Sequence, residues 1–212
     1  MTDVKYIAIA DDHAMFRKTL AILINLFPDY KVLFDAPNGK DFISRLDRKQ
    51  LPDIALLDIH MPVMDGYDTA AWLHNNHSQI KILVLSTMED ETSIIKMLRN
   101  GAKGYVLKDA DPHELKYSFD EVLSHEYFYN DPGKELSNTG LNQSSPGTIF
   151  QLTQPETEYL KYTATEMSSK EIAGMMNISM RSAETIRDSL YQKLGLNTRI
   201  SMALFAIENN LV

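Results

Sequence analysis

As far as about residue 125, short apolar runs alternate with stretches in which apolar residues recur at three- and four-residue spacing. The runs KYIAIA (Lys5–Ala10), YKVLFDA (Tyr30–Ala36), IALLD (Ile54–Asp58), KILVLS (Lys81–Ser86) and GYVL (Gly104–Leu107) read as strands. Between and after them the period shifts to that of a helix, over Ala14–Leu26, around Lys40–Arg48, near Tyr67–Asn75, near Glu91–Asn100, and from Pro112 to about Ser124. Strict strand–helix alternation with nearly continuous apolar strands predicts an α/β fold with a five-stranded parallel, doubly wound sheet covered on both faces. Sites in such sheets form outside the carboxyl ends of the strands, where strand order reverses.

The regularity stops near Glu126. NDPGKELSNTGLNQSSPGT (Asn130–Thr148) is rich in Gly, Pro, Ser and Asn and has no sustained period, so it reads as a linker. Helical spacing then resumes and runs to the end. The expected division is an α/β domain over 1–125, a linker over 126–149, and an all-α four-helix domain over 150–212. In the last of these, Pro155 suits the first turn of one helix. Ser168 or Ser169 can cap a second, with Glu171 placed for a capping box. Asn177-Ile178-Ser179 makes a short turn into a third helix, Arg181–Leu194, ending at Gly195. A fourth runs from about Thr198 to Asn209, and Asn210 suits a left-handed C-terminal conformation. A short helix, a tight turn and a longer helix make a helix-turn-helix, whose second helix enters the major groove of DNA.

Composition narrows the function. With 44% hydrophobic and 24% charged residues among 212, the chain is ordinary for a globular protein, and no apolar run is long enough for a bilayer span. No signal-peptide pattern opens it, and it has no cysteine, which excludes disulfides and thiolate metal sites and agrees with a cytoplasmic protein that does not engage a membrane. The net charge of −8 is wrong for a bulk polyanion binder, so any contact with nucleic acid must be local.

Three acids fall at strand ends: Asp11 and Asp12 after the first, Asp58 closing the third. If the first and third strands are neighbours, all three converge, and crowded carboxylates disfavour each other's ionisation. A hard divalent cation relieves this, and Mg²⁺ is commonly held by one or two carboxylates together with a phosphate. Ser86 ends the fourth strand and Lys108 follows the fifth, so a hydroxyl and an ammonium join the set. Together they suit a phosphoryl group, with Asp58 as the nucleophile of an acyl phosphate and Lys108 neutralising charge.

IAIADDHAMFR, LLDIHMPVMDG, VLST and GYVLKD resemble the receiver domain of two-component response regulators, over about Lys5 to Ser124. The resemblance implies that Asp58 is the phosphoacceptor, supplied by a sensor histidine kinase. It implies that Asp12 and the backbone carbonyl of His60 bind Mg²⁺ beside Asp58, and that Asp11 holds a metal-bound water. Ser86 then bonds a phosphate oxygen, Lys108 pairs with another, and Tyr105 stands where the family has an aromatic switch residue. Plain packing remains an alternative for Tyr105. For His60 a role in water access and phosphoryl lifetime stands beside a structural one. His13 reads as a cap or surface neighbour, Gly66 as a positive-φ turn residue, and the methionines as core and turn filling. Haloacid dehalogenase-type phosphatases need a second acid two residues after the nucleophile, where this chain has His60, so the reading is a timed switch and not a turnover enzyme.

MSSKEIAGMMNISMRSAETIRDSLYQKLGL resembles the LuxR-type (NarL/FixJ-like) DNA-binding domain. The resemblance implies that Ser169 and Lys170 lie at backbone-contact positions. It places Arg181, Ser182, Glu184, Thr185 and Arg187 along the exposed side of the recognition helix. Glu184 stands where many members have lysine, and Ile186 replaces a common histidine. From Gln151 onward six basic residues face seven acids, a net of −1, which predicts weak monomer binding rescued by dimerisation on paired half-sites of promoter DNA. The competing reading is a phosphorylation-dependent protein-interaction switch that binds little or no DNA.

Overall fold

The structure is a computed structural model, and it describes residues 4–87, 91–128 and 152–212. The chain divides into two compact units, Met1–Phe128 and Tyr129–Val212. In the first, strands β1 (Lys5–Ala10), β2 (Tyr30–Ala36), β3 (Ile54–Asp58), β4 (Lys81–Ser86) and β5 (Gly104–Leu107) alternate with helices α1 (Ala14–Leu26), α2 (Gly39–Ser44), α3 (Gly66–Asn76), α4 (Glu91–Arg99) and α5 (Pro112–His125). All pairings are parallel and the strand order is β2-β1-β3-β4-β5. Order reverses beside β1, so the carboxyl ends of β1 and β3 open a crevice between neighbouring strands.

The sheet is hydrophobic because both faces are covered. Ile7, Ile9, Ile54, Leu56 and Leu83 are fully buried and pack with Ile24 of α1 and Phe119 of α5. The alternating sequence pattern and the strands coincide, since apolar residues of a central parallel strand have no solvated face. Helix α2 differs from expectation. It stops at Ser44, not near Arg48, because Asp47 takes the local backbone: its side chain accepts from the Lys49 N–H at 2.9 Å and its carbonyl from Gln50 at 2.9 Å.

Glu126, Tyr127 and Phe128, expected in the linker, stay with the first unit. The Phe128 N–H donates to the Lys103 carbonyl at 2.8 Å, and Lys103 reaches Glu126 Oε1 at 3.1 Å and the Tyr127 hydroxyl at 3.0 Å. The rest of the expected linker, with residues 150 and 151 of the expected last domain, lies outside the described residues.

Among its described residues the second unit has four helices: α6 (Gln154–Thr163), α7 (Ser169–Met175), α8 (Met180–Leu194) and α9 (Arg199–Glu208). Ser168, not Ser169, caps α7 in a capping box with Glu171, and Ser179 caps α8. Asn177 at φ 53° makes the turn between α7 and α8, Gly195 at φ 65° ends α8, and Asn210 at φ 53° follows α9. Leu160, Leu190, Met202 and Phe205 form its buried centre. No described helix is long and apolar enough to cross a membrane.

Candidate functional site

At the carboxyl ends of β1 and β3, the parallel register sets Ala10 beside Leu57, so the residues that follow them, Asp11 and Asp58, emerge side by side. Asp11 is fully buried and Asp58 is 6% exposed, whereas Asp12 faces solvent. Ligand atoms of Asp11, Asp12, His13 and Asp58 all lie within 4.8 Å of one another. Lys108, just beyond β5, reaches across: its Nζ lies 2.8 Å from Asp11 Oδ2 and 3.0 Å from Asp58 Oδ1. One ammonium therefore serves two buried carboxylates.

The electrostatics follow from that shortage. Burial pushes the Asp58 carboxyl above its ordinary range; Lys108 and the Ile59 N–H, which donates to Oδ1 at 2.9 Å, pull the other way without cancelling it, and the Asp11 charge adds to the rise. Burial works to lower Lys108, but its bonds to Asp11 and Asp58 outweigh that and hold it above the usual lysine range. Lys108 is thus a fixed cation. The donor set is oxygen-rich, buried on one side and short of positive charge, which fits a divalent cation of the magnesium type.

The loop after Asp58 shapes this site. A Cβ on Gly66 would lie 2.2 Å from the Asp58 carbonyl oxygen, so α3 can start this close to Asp58 only with glycine there. Contrary to the expectation from sequence, Gly66 is not a positive-φ residue; space and not backbone angle requires glycine there, and the positive φ falls on Val63, at 69° and 79% exposed. Helix α3 is capped by Asp65, whose side chain accepts from the Asp68 N–H at 2.9 Å.

A model for the response regulator receiver domain matches residues 7–120, and one for bacterial regulatory proteins of the luxR family matches 151–206. The chain belongs to the response regulators with a LuxR-type output domain. It is 32% identical to the transcriptional regulatory protein YhcZ of Bacillus subtilis over 97% of this chain and 96% of the relative. It is 30% identical to the oxygen regulatory protein NreC of Staphylococcus carnosus, over 97% and 98%. Among solved structures, a LuxR-family DNA-binding response regulator from Staphylococcus aureus matches with a TM-score of 0.53 at 30% identity, over 57% of this chain and 99% of that one. The heme-sensing system's response regulator ChrA matches with 0.52 at 26% identity over 100% of both chains. Like the rest of the family, the chain is a DNA-binding transcriptional regulator controlled by phosphorylation of its receiver.

Within the receiver the structure brings together Asp11, Asp12, Asp58 and Lys108. Ser86 is buried at the end of β4 beside β5, where its carbonyl accepts from the Lys108 N–H at 2.8 Å. Its hydroxyl donates to the Thr87 carbonyl at 2.8 Å and makes no bond to Asp58. Tyr105 is 8% exposed on β5. The His60 ring is exposed and meets Tyr67 edge-on at 6.4 Å. His13 holds the N-cap position of α1 without a side-chain cap bond, and its ring pairs with Asp12 at 2.8 Å.

Sequence reasoning missed Arg17. It is 8% exposed, its Nε donates to Asp35 Oδ2 at 2.7 Å, and its guanidinium also donates to the Asp11 carbonyl, which fixes the loop that carries both acids. The signal was present: Arg17 shares the buried face of α1 with Leu20 and Ile24 at three- and four-residue spacing, so a charge stood on an apolar stripe.

In the output domain, Lys170, Arg181, Glu184 and Thr185 are exposed, while Ser169 and Arg187 are partly covered. Several are already engaged. The Ser182 hydroxyl lies 2.9 Å from that of Ser179, Thr185 Oγ1 donates to the Arg181 carbonyl at 2.9 Å, and Arg187 pairs with Asp188 at 3.0 Å. Lys193 belongs to a different cluster, with both Glu156 oxygens at 2.8 Å. Met15, Met175 and Met180, expected as filling, are 84%, 56% and 41% exposed.

Proposed function

We propose that Asp58 is the phosphoacceptor through which a sensor histidine kinase controls DNA binding by this chain in the cytoplasm. The observation that carries this reading is the single Lys108 ammonium shared by the buried Asp11 and Asp58 carboxylates. Such a pocket has capacity for added positive charge and for a phosphoryl group, and little reason to exist as a purely structural element. Asp11, Asp12, Asp58 and the His60 carbonyl would hold Mg²⁺, which supplies positive charge against the phosphoryl oxygens.

The chain's own groups do the rest. An Asp58 carboxylate oxygen forms a bond to phosphorus as the phosphorus–nitrogen bond of the donor phosphohistidine breaks, and the departing imidazole takes a proton from solvent. Lys108 pairs with one phosphoryl oxygen. Ser86 leaves the Thr87 carbonyl to donate to another, and Tyr105, already buried on β5, repacks as Ser86 moves, so a local charge biases an element with two arrangements. The altered receiver surface favours a homodimer, and two linked recognition helices engage paired half-sites in promoter DNA. The chain is a timed switch, not a turnover enzyme.

Incubation with a small acyl or phosphoramidate donor in Mg²⁺ labels the wild type and leaves Asp58→Asn unlabelled. Persistent labelling of the variant removes the assignment. A second reading, an output domain that binds protein, draws on the pairing of Arg187 and Lys193 with acids, which subtracts from the cationic surface of α8. Absence of any shift of promoter fragments at low salt by the phosphorylated protein would favour it.

A further inference from the structure

Over residues 180–188 of α8, four of the six polar side chains are taken. Ser182 is held by the Ser179 hydroxyl, Thr185 is bonded back to its own helix, and Arg187 is paired with Asp188. Glu184 is exposed and, among the described residues, has neither a hydrogen bond nor an ion pair. It stands on the same face as exposed Arg181, one turn earlier. The N-terminal turns of a recognition helix are the part that reaches base edges. A carboxylate carried into a groove lined with phosphates costs affinity with every sequence, unless a base edge supplies a donor. In the major groove, donors are the cytosine N4 and adenine N6 amino groups, and adenine sets its N7 acceptor beside the amino group, against a carboxylate. Cytosine sets none there.

We infer that Glu184 is the specificity-determining residue of this output domain, accepting the N4 amino hydrogen of a cytosine in the major groove of each half-site. The inference rests on the DNA-binding reading above and extends it to one base pair. Glu184 works mainly by rejection: over any other base the carboxylate is desolvated and unpaired, so the wrong sequence loses more than the right one gains. Arg181 moderates the cost of bringing the acid close to the backbone.

The full chain, phosphorylated by a small phosphodonor in Mg²⁺, is used to select binders from a pool of randomised DNA duplexes, in parallel with Glu184→Gln and Glu184→Ala. The wild type selects a half-site with one C·G pair preferred by about tenfold. Glu184→Ala flattens that one position to within about twofold while gaining affinity for other sequences, and Glu184→Gln moves its preference to adenine, which glutamine can bond through N6 and N7. Other positions stay as in the wild type. A wild-type half-site whose base preferences are the same in both variants overturns the role of Glu184 and leaves DNA binding standing. No selected sequence at low salt overturns the DNA-binding reading itself.

Discussion

The two units each bury a carboxylate, and they treat it in opposite ways. Asp58 in the receiver is 6% exposed and Glu156 in the output domain 5%. Asp58 has one backbone N–H and a lysine that it shares with Asp11. Glu156 receives the Thr153 N–H at 2.8 Å, the Thr153 hydroxyl at 2.9 Å, the Ser189 hydroxyl at 2.7 Å and Lys193 on both oxygens at 2.8 Å. Burial pushes both carboxyls up. At Asp58 burial prevails, whereas at Glu156 the bonds from Lys193, Thr153 and Ser189 overcome it and bring the group down to about 2. A carboxylate with every lone pair answered fastens α6 to α8, and one left short of partners keeps capacity for a further cation.

The comparison breaks most visibly at Glu156. A carboxyl lowered in the folded state contributes stability that is complete above its ordinary value and is lost as pH falls through about 2. Glu156→Gln keeps the shape but removes the charge, and should destabilise the output domain by about 2 kcal/mol at neutral pH, less than a wholly buried pair because Lys193 is half in solvent. Amide hydrogen exchange in α6 and α8 measures it. The gap between wild type and variant narrows as pH drops below the ordinary glutamate value. Equal exchange at pH 7 would mean that the cluster does not hold the helices together.

Asp58 should respond with the opposite sign. A carboxyl raised in the folded state costs stability wherever it is ionised, so the penalty is absent below the ordinary aspartate value of 3.8 and grows as pH rises through the raised one. Asp58→Asn should therefore stabilise the receiver by about 1 kcal/mol at neutral pH without metal, as at other sites where activity opposes stability. Trp72, the one tryptophan of the chain, lies in α3 and reports unfolding of this unit. A variant less stable than the wild type would show that Lys108 compensates Asp58 in full. The gain should shrink as pH falls, the reverse of the Glu156 pattern in sign though not in direction of travel.

The receiver site was legible because its residues sit at strand ends, and strand ends follow from apolar runs that stop at a charge. Asp11, Asp58, Ser86 and Lys108 needed only the parallel order to be brought to one edge. What the sequence hid was set by non-local packing. Thr153 and Glu156 carry the local signature of a capping box, yet nothing nearby shows that Lys193, 37 residues on, completes the cluster. Gly66 looked like a turn glycine because its neighbour across the crevice, the Asp58 carbonyl, is a matter of tertiary distance. The Ser86 hydroxyl faces Thr87 by a choice of rotamer, which spacing does not fix. Helix α2 was overextended because periodicity does not register a side chain competing for the backbone.

Backbone strain sharpens the contrast on a smaller scale. The non-glycine positive-φ residues of the described output domain are Asn177 and Asn210, a type that tolerates the left-handed region. In the receiver, Val63 holds φ 69° in the loop after Asp58, with the Met64 N–H closing on the Pro62 carbonyl at 2.8 Å. A β-branched residue in that tight turn stores about 1–3 kcal/mol. Val63 is 79% exposed, so glycine there loses little packing. Val63→Gly relieves the strain but adds about 0.5–1 kcal/mol of unfolded-chain entropy. The expected net is a gain of about 0.5 kcal/mol in the receiver, read from Trp72 fluorescence in urea, while Asn177→Gly in the output domain changes stability by less. If Val63→Gly lost stability instead, the turn would be held by contacts that valine makes, and strain in the loop after Asp58 would not distinguish the two units.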